Sequence, residues 1–140
     1  MIDPLNDYPG YLLRRASALA MSKLAKQLKV LKVSPTEATV LNVIDANPDV
    51  KQSDIGRLLN IATANMAPLI SRLARRNLIE RQPVDKRSHC LVLTRTGRNL
   101  TAKVKGIFAQ HEAALLCKIP VVHRAALFFA LRALLEKESE

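Results

Sequence analysis

Residues 55–97 constrain the fold of this chain more than any other stretch, because several distinct local patterns follow one another there. A short helix is predicted up to Leu59, and Asn60 can end it because asparagine tolerates the left-handed backbone of a helix C-terminus. A basic helix then begins at about residue 63 and ends in the same way at Asn77. Two strands are predicted next, over 78–82 and 89–93. The resulting order is helix, tight turn, helix and hairpin.

This order is the outline of a winged helix-turn-helix, in which the second helix enters the major groove of DNA and the hairpin reaches an adjacent groove. The loop of the predicted hairpin carries the charged tip Asp85-Lys86-Arg87. Pro68 lies inside the predicted recognition helix, where a proline removes one backbone hydrogen bond and tends to kink the helix. Because Pro68 lies about one turn after the start of the helix, we expect the first turn to form. The sequence does not determine the direction in which the helix points.

The charge distribution favours a polyanionic partner for the same segment. The net charge is +10 and the isoelectric point is near 10.1. Residues 51–98 hold ten Lys or Arg and three Asp or Glu, so +7 of the total belongs to the predicted winged helix. Charge alone does not separate a DNA-binding surface from a merely soluble basic one.

Helical patterns flank the winged helix on both sides. The first runs from about Tyr8 to Lys29. The segment Ser34-Pro35-Thr36-Glu37 predicts the start of a second helix, because Ser34 can cap it, Pro35 suits its first position and Glu37 completes a capping box. We expect that helix to end at Asn47-Pro48, since the residue before a proline disfavours helix.

Two more helices are predicted after the hairpin, the first capped by Thr94 and broken at Ile119-Pro120, the second over 121–137. The last one is apolar on most of its circumference, which is typical of a helix buried on all sides. A chain of 140 residues has little core for it. We therefore predict that the first helix and the last two pack against a second copy; a core helix of a monomer is the alternative.

The chain resembles the MarR family of bacterial transcription regulators over about residues 8–137. The motifs that carry the resemblance are Ser34-Pro35-x-Glu37, Leu73-x-x-Arg76-x-Leu78-Ile79-Glu80-Arg81, Asp85-x-Arg87 and Leu93-Thr94-x-x-Gly97. The family commonly has glycine where this chain has Asn60 and Asn77. The resemblance implies a mainly α fold with a small β-hairpin wing, as one MarR-type domain over 1–140. Within it, the winged helix-turn-helix spans about 34–98, and dimerisation helices span about 8–31 and 99–137.

The function implied by the resemblance is that of a homodimeric repressor in the bacterial cytoplasm, associated with the nucleoid when bound to DNA. It would occupy a pseudo-palindromic operator in double-stranded DNA and be released by a small ligand such as an aromatic or phenolic acid. One alternative is an architectural winged-helix module that binds DNA without sequence specificity or ligand. Another is a redox-sensing regulator that uses Cys90 or Cys117, although redox-sensing relatives carry their cysteine on the first helix. We expect Cys90 to be a half-buried small residue.

Base-edge contacts are expected from the start of the recognition helix, which meets the bases in helix-turn-helix proteins. The residues are Thr63, Ala64, Asn65 and Ala67. Asn65 suits a bidentate contact to adenine, and Ala64 or Ala67 suits a thymine methyl group. The alternative for Thr63 and Asn65 is that they only cap the helix.

Phosphate contacts are expected from basic and polar residues around this helix, namely Gln52, Ser53, Arg72, Arg75 and Lys86. A solvated basic face is the alternative for the arginines, and Arg76 is expected to pair within the protein near Glu80. The resemblance implies that Arg87 enters the minor groove and that Asp85 braces the wing. A narrow, A/T-rich groove would attract such an arginine.

The ligand of such a regulator would lie between the dimerisation helices and the winged helix. Tyr11, Arg15 and His111 are candidates to line that site, with an arginine pairing with a carboxylate. Arg14 and Arg15 are equally suited to dimer or surface contacts.

We expect neither an enzyme nor a cofactor or metal. The three histidines have no ligand or triad spacing to cysteines or carboxylates, and four glycines provide no phosphate-binding loop. Neither a signal peptide nor a membrane partner is expected, because Asp3, Asp7 and Arg14-Arg15 interrupt the N-terminal apolar residues and no apolar run reaches about 18 residues.

Overall fold

A computed structural model describes residues 1–136. The helices are α1 (Pro9–Leu28), α2 (Pro35–Ala46), α3 (Gln52–Leu59), α4 (Thr63–Arg75), α5 (Arg95–Cys117) and α6 (Arg124–Leu135), with 3-10 turns at Lys29–Leu31 and Val121–His123. The strands β1 (Ile79–Pro83) and β2 (His89–Leu93) pair antiparallel, with Ile79 opposite Leu93. The predicted fold class, mainly α with one hairpin, is confirmed. Lys137, the last residue of the predicted final helix, lies outside the described residues.

The start of α2 is fixed by the capping box that the sequence predicts. The Ser34 hydroxyl accepts a hydrogen bond from the Glu37 N–H at 3.1 Å, and the Glu37 carboxylate accepts one from the Ser34 N–H at 3.0 Å. These bonds satisfy two N–H groups that the first turn of a helix leaves without partners. The helix ends at Ala46, directly before Asn47-Pro48.

Asn60 and Asn77 end α3 and α4 as predicted, with φ angles of 53° and 56°. In each case the following residue reaches back to the last turn. The N–H of Ile61 donates to the Gly56 carbonyl at 2.9 Å, and the N–H of Leu78 donates to the Leu73 carbonyl at 3.1 Å. This pattern is the Schellman motif. It places Leu78 in the helix ending, so β1 begins one residue later than predicted.

Gly97 explains why the hairpin and α5 approach each other closely. A Cβ atom at this position would lie 1.9 Å from the Leu78 carbonyl oxygen. Thr94 caps α5 as predicted, because its hydroxyl accepts from the Gly97 N–H at 2.9 Å. The Thr94 N–H in turn donates to the Leu78 carbonyl at 3.0 Å. The Thr94-x-x-Gly97 motif therefore joins the wing to α5.

One hydrophobic core lies beneath the winged helix. Its largest fully buried apolar side chains come from the end of α1, from α2 to α4 and from the first half of α5: Leu28, Val40, Leu41, Ile55, Met66, Ile70, Leu73 and Val104. Strand β2 contacts both α2 and α5. Cys90 is consequently buried, so the prediction of a half-buried side chain is wrong.

The last helix lies outside this core. None of its residues is buried, and Phe129 and Leu135 are 78% and 82% exposed. The alternative that it is a core helix of a monomer is therefore wrong. The helix also begins later than predicted, at Arg124, because the residues after Pro120 form a 3-10 turn in which the His123 N–H donates to the Pro120 carbonyl.

Across residues 1–136, no single helix is both long enough and apolar enough to cross a bilayer. Taken together, the helical segments on either side of Pro120 reach that length and composition, but they meet at a bend of 108°.

Candidate nucleic-acid interface

The recognition helix α4 is held by one face and presents the other to solvent. Met66, Leu69, Ile70 and Leu73 are buried, whereas the four residues expected to contact bases (Thr63, Ala64, Asn65 and Ala67) are exposed. The helix is continuous through Pro68. The proline therefore leaves the start of the helix intact, as predicted.

The start of α4 is capped by backbone alone. Ala62 occupies the capping position, and no side chain there accepts a hydrogen bond from the first turn. The idea that Thr63 and Asn65 serve only as caps therefore finds no support. Within residues 1–136, the side chains of Thr63 and Asn65 make no hydrogen bond and are free to meet another molecule.

A cleft of about 500 Å³ separates the first turn of α3 from the first turn of α4. Gln52, Ser53 and Thr63 all line it, so the structure brings two expected phosphate-contact residues beside one expected base-contact residue. The helices approach closely at Gly56, where a Cβ atom would lie 3.3 Å from both the Ile61 carbonyl oxygen and Met66. The Gln52 side chain is held by Arg81 of β1, whose guanidinium donates to Oε1 at 3.2 Å.

Arg72 lies on the other side of α4, in a groove that it shares with Asn65. Its Nε donates to Glu37 Oε1 at 3.2 Å, while the second oxygen of Glu37 serves the α2 capping box. The Arg72 side chain is still 52% exposed. A phosphate at this position would therefore compete with Glu37 for the guanidinium.

Arg75 and Arg76 follow on α4 with different surroundings. Arg75 is exposed and makes only a long bond of 3.4 Å to the Ser71 carbonyl. Arg76 does pair within the protein, but its guanidinium donates to the carbonyls of Leu31 and Lys32 rather than to Glu80. These carbonyls end the turn after α1, where acceptors lack helical partners.

The wing is closed at its tip by Asp85. Its Oδ1 accepts from the backbone N–H groups of Arg87 at 2.8 Å and Ser88 at 2.9 Å. The Arg87 N–H is the main reason that the pKa of Asp85 lies below its usual value, and the charge of Lys51 lowers it further. Lys86 and Arg87 are exposed, and in the described part of the chain their side chains form no ion pair.

Three contacts at this surface are not predicted from the sequence. Arg57 pairs with Asp54 on α3, and their i,i+3 spacing was a usable signal. The bonds of Arg81 to Gln52 and of Arg72 to Glu37 join residues 29 and 35 positions apart. No local pattern predicts such pairs.

The candidate ligand residues fall into two separate places. Tyr11 and Arg15 both donate to Asp3 Oδ2 at 2.9 Å, and the Arg15 guanidinium lies 5.6 Å from the centre of the Tyr11 ring. His111 is buried and lines a cleft between α1 and α5 that neither Tyr11 nor Arg15 lines. The positive charge of Arg15 is thus already paired.

The described residues hold no group of three or more His, Cys, Asp or Glu that could bind a metal ion. The two cysteines lie on different elements, with Cys90 buried and Cys117 exposed.

Comparison with known proteins identifies the family. The MarR family model matches residues 31–88, from the turn after α1 to the loop of the wing. The transcriptional repressor CouR, bound to a 23-mer DNA duplex, is 30% identical, and the alignment covers 97% of this chain and 98% of CouR with a TM-score of 0.88. CouR bound to p-coumaroyl-CoA aligns with 29% identity over 99% of both chains, again with a TM-score of 0.88.

A curated protein of Thauera aromatica, named for transcriptional regulation of the hcr operon, is 25% identical over 134 residues. These residues make up 94% of this chain and 81% of the relative. Both relatives are named as regulators of transcription. The resemblance read from the motifs is therefore confirmed, and this chain belongs to the MarR family of DNA-binding transcription regulators.

Proposed function

We propose that this regulator is a homodimeric repressor, which occupies a pseudo-palindromic operator and is released by a small aromatic ligand. The observation that carries the proposal is the exposed first turn of α4, whose side chains at Thr63 and Asn65 have no hydrogen-bond partner within residues 1–136. A polar side chain without a partner, next to a basic wing, suits direct contact with base edges. The repressor CouR bound to DNA supports the same reading.

In this proposal the two classes of DNA contact come from different parts of the winged helix. Bases are read by Thr63, Ala64, Asn65 and Ala67. Phosphates are held by Gln52, Ser53, Arg72, Arg75 and Lys86, and Arg87 enters the minor groove. Asp85 supports this arrangement because its two backbone hydrogen bonds fix the tip from which Arg87 projects.

The proposed dimer is built by the helices outside the winged helix, over about 8–31 and from 99 onward. The exposed apolar side chains of α1 and α6 support it, because a monomer in water would leave them uncovered. They are Leu12, Leu13, Leu19, Met21, Phe128, Phe129, Leu131, Leu134 and Leu135. Burying such a surface between two copies gives an isologous interface with twofold symmetry, which matches a pseudo-palindromic operator.

The proposed ligand site is the α1–α5 cleft lined by His111. The binding of p-coumaroyl-CoA by CouR supports an aromatic acid or its thioester as the ligand class. Of the three residues expected to bind ligand, His111 keeps this role. Tyr11 and Arg15 are better suited to fastening the N-terminal segment through Asp3, because that carboxylate occupies both. For the ligand to release the protein from DNA, it must favour a dimer geometry that does not fit the two half-sites.

Selection of binding sites from a random duplex library tests the central part of this proposal. A sequence-specific dimer should enrich a pseudo-palindromic motif, and the Asn65→Ala variant should lose discrimination at one position of each half-site, since a bidentate contact discriminates by about 1–3 kcal/mol. Tight binding without any enriched motif would reject the repressor and favour the non-specific architectural module.

A further inference from the structure

The cleft between α1 and α5 has a volume of about 250 Å³ and largely apolar walls that include Leu19, Leu115 and Ile119. An apolar cavity of about 150 Å³ is enough to hold benzene. The cleft can therefore take one aromatic ring with a short side chain. Its polar lining comes from Lys23 and Gln27 of α1, from His111 of α5 and from Lys118 directly after α5.

Lys23 and Lys118 bring two amines together in this cleft. Both residues line the cleft, and the pKa of Lys23 lies below its ordinary value, chiefly because of the neighbouring Lys118 amine, whose charge repels it, and also because the surrounding protein displaces water. No carboxylate lines the cleft, and neither lysine forms an ion pair with any residue between 1 and 136. An anion placed across the two amines would relieve their repulsion.

His111 provides a different kind of polar group in the same cleft. Its Nδ1 lies 3.1 Å from Gln27 Oε1, an oxygen that can only accept. In the neutral ring the hydrogen therefore resides on Nδ1, and Nε2 remains as an acceptor for a hydroxyl group. Lys118 follows His111 by seven residues, which corresponds to about 10 Å along a helix.

We propose that Lys23 and Lys118 together form the anion-binding end of the ligand site. The ligand is an amphiphilic anion whose aromatic ring lies between α1 and α5, whose carboxylate or phosphate bridges the two amines, and whose hydroxyl group donates to His111. This assignment rests on the proposed ligand-controlled repressor, and it gives the lysine pair the role that the sequence suggested for Arg15. The anion has two possible sources, the carboxylate of a free aromatic acid or the phosphates of its coenzyme A thioester.

Isothermal titration calorimetry with three anionic probes tests the assignment: p-coumarate, p-coumaroyl-CoA and coenzyme A alone. The wild-type protein should bind at least one of them. Lys118→Gln and the double variant Lys23→Gln/Lys118→Gln should bind that probe about 10-fold or more weakly, because the first loses one charge-assisted hydrogen bond and the second loses two. Lys26→Gln is the matched control, since it removes the same charge from the exposed side of α1 and does not line the cleft.

A neutral probe, 4-ethylphenol, separates the ring site from the anion site. Its affinity should be the same for the wild type and all variants. Binding of p-coumarate assigns the anion to a carboxylate, and binding of the thioester alone assigns it to phosphates; both support the lysine pair. Equal affinity of the double variant and the wild type for the bound probe, or no binding of any anionic probe to the wild type, would overturn it.

The DNA affinity of the same variants, measured with a duplex obtained from the site selection, distinguishes a failure of the proposed repressor from a failure of the proposed lysine pair. The lysine variants should retain wild-type DNA affinity in the absence of ligand. A wild-type protein that shows no preferred duplex would reject the repressor, while calorimetry would still decide whether the lysine pair binds anions.

Discussion

Single residues fix the geometry of the winged helix, called here the reading head (residues about 34–98). Glu37 caps α2 with one carboxylate oxygen and holds Arg72 of the recognition helix with the other. Asp85 closes the wing through two backbone N–H groups and leaves the side chain of Arg87 outside. Gly97 allows the hairpin to touch α5. Asp85 and Gly97 thus position the wing that carries the proposed contact of Arg87, whereas Glu37 holds a guanidinium for which a phosphate would compete.

Removing the side chain of Arg87 should weaken binding to a selected duplex by about 10-fold or more. The variant loses the attraction between the guanidinium and the negative potential of a narrow minor groove. Thermal unfolding should be unchanged, since Arg87 is exposed and Asp85 bonds to its backbone, which Arg87→Ala retains. Fluorescence anisotropy and a melting curve measure the two effects. Lys103→Ala, which removes an exposed charge from α5, is the control. Unaltered affinity of Arg87→Ala would rule out the proposed role of the wing.

The two glycines of α5 should respond to alanine in opposite directions. At Gly97 the new Cβ would overlap the Leu78 carbonyl, and we expect a loss of about 1–3 kcal/mol in the free energy of unfolding. At Gly106 nothing lies within 4 Å, so alanine should stabilise the helix by about 0.5–1 kcal/mol. Chemical denaturation of both variants provides the comparison. A Gly97→Ala protein as stable as the wild type would show that the hairpin does not approach α5 as described.

At the scale of elements, helix ends were readable from the sequence and the links between elements were not. Asn60, Asn77 and the Ser34 capping box each act within a few residues of their own position, so local chemistry predicts them. The bond from Arg81 to Gln52 and the Lys23–Lys118 pair depend on how separate elements pack. The periodicity of the sequence contains no information about such packing. The sequence therefore predicts that Arg15 binds a ligand carboxylate, whereas in the structure Arg15 pairs with Asp3.

The link between α2 and α4 yields a prediction about DNA affinity. Glu37→Gln keeps an acceptor for the α2 cap but releases Arg72, so binding to a selected duplex should become several-fold tighter. The salt dependence should also become steeper, because an additional phosphate contact releases an additional counterion. Glu80→Gln removes the same charge from β1 and serves as the matched control. Weaker binding by Glu37→Gln would mean that Glu37 positions Arg72 for DNA rather than competing with it.

At the scale of the whole molecule, the chain divides into a packed reading head and an uncovered apolar surface. The head has its own core, from Leu28 to Val104, whereas α6 buries none of its residues. The composition of the last helix predicts that its apolar surface needs to be covered, and the structure shows that the rest of the same chain does not cover it. A second copy is the covering that the proposed operator symmetry requires.

An acidic side chain on this surface should separate the dimer. Phe129 is 78% exposed in one chain, so Phe129→Glu should leave the fold of each chain intact while placing charges in the proposed interface. Sedimentation velocity should show a dimer for the wild type and a monomer for the variant. Leu58→Glu, at a 67% exposed position on α3, should remain dimeric. A monomeric wild type would remove the basis for the proposed interface.

Hydroxyl-radical footprinting of the wild-type protein on a selected duplex tests the whole account most directly. Two copies of α4 and the wing, related by a twofold axis, should protect two half-sites on one face of the DNA about 10–10.5 base pairs apart, centre to centre, or at a multiple of that spacing. Protection should be symmetric about the centre of the motif. A single protected half-site, or uniform protection along the duplex, would contradict a dimer that reads its operator through paired recognition helices.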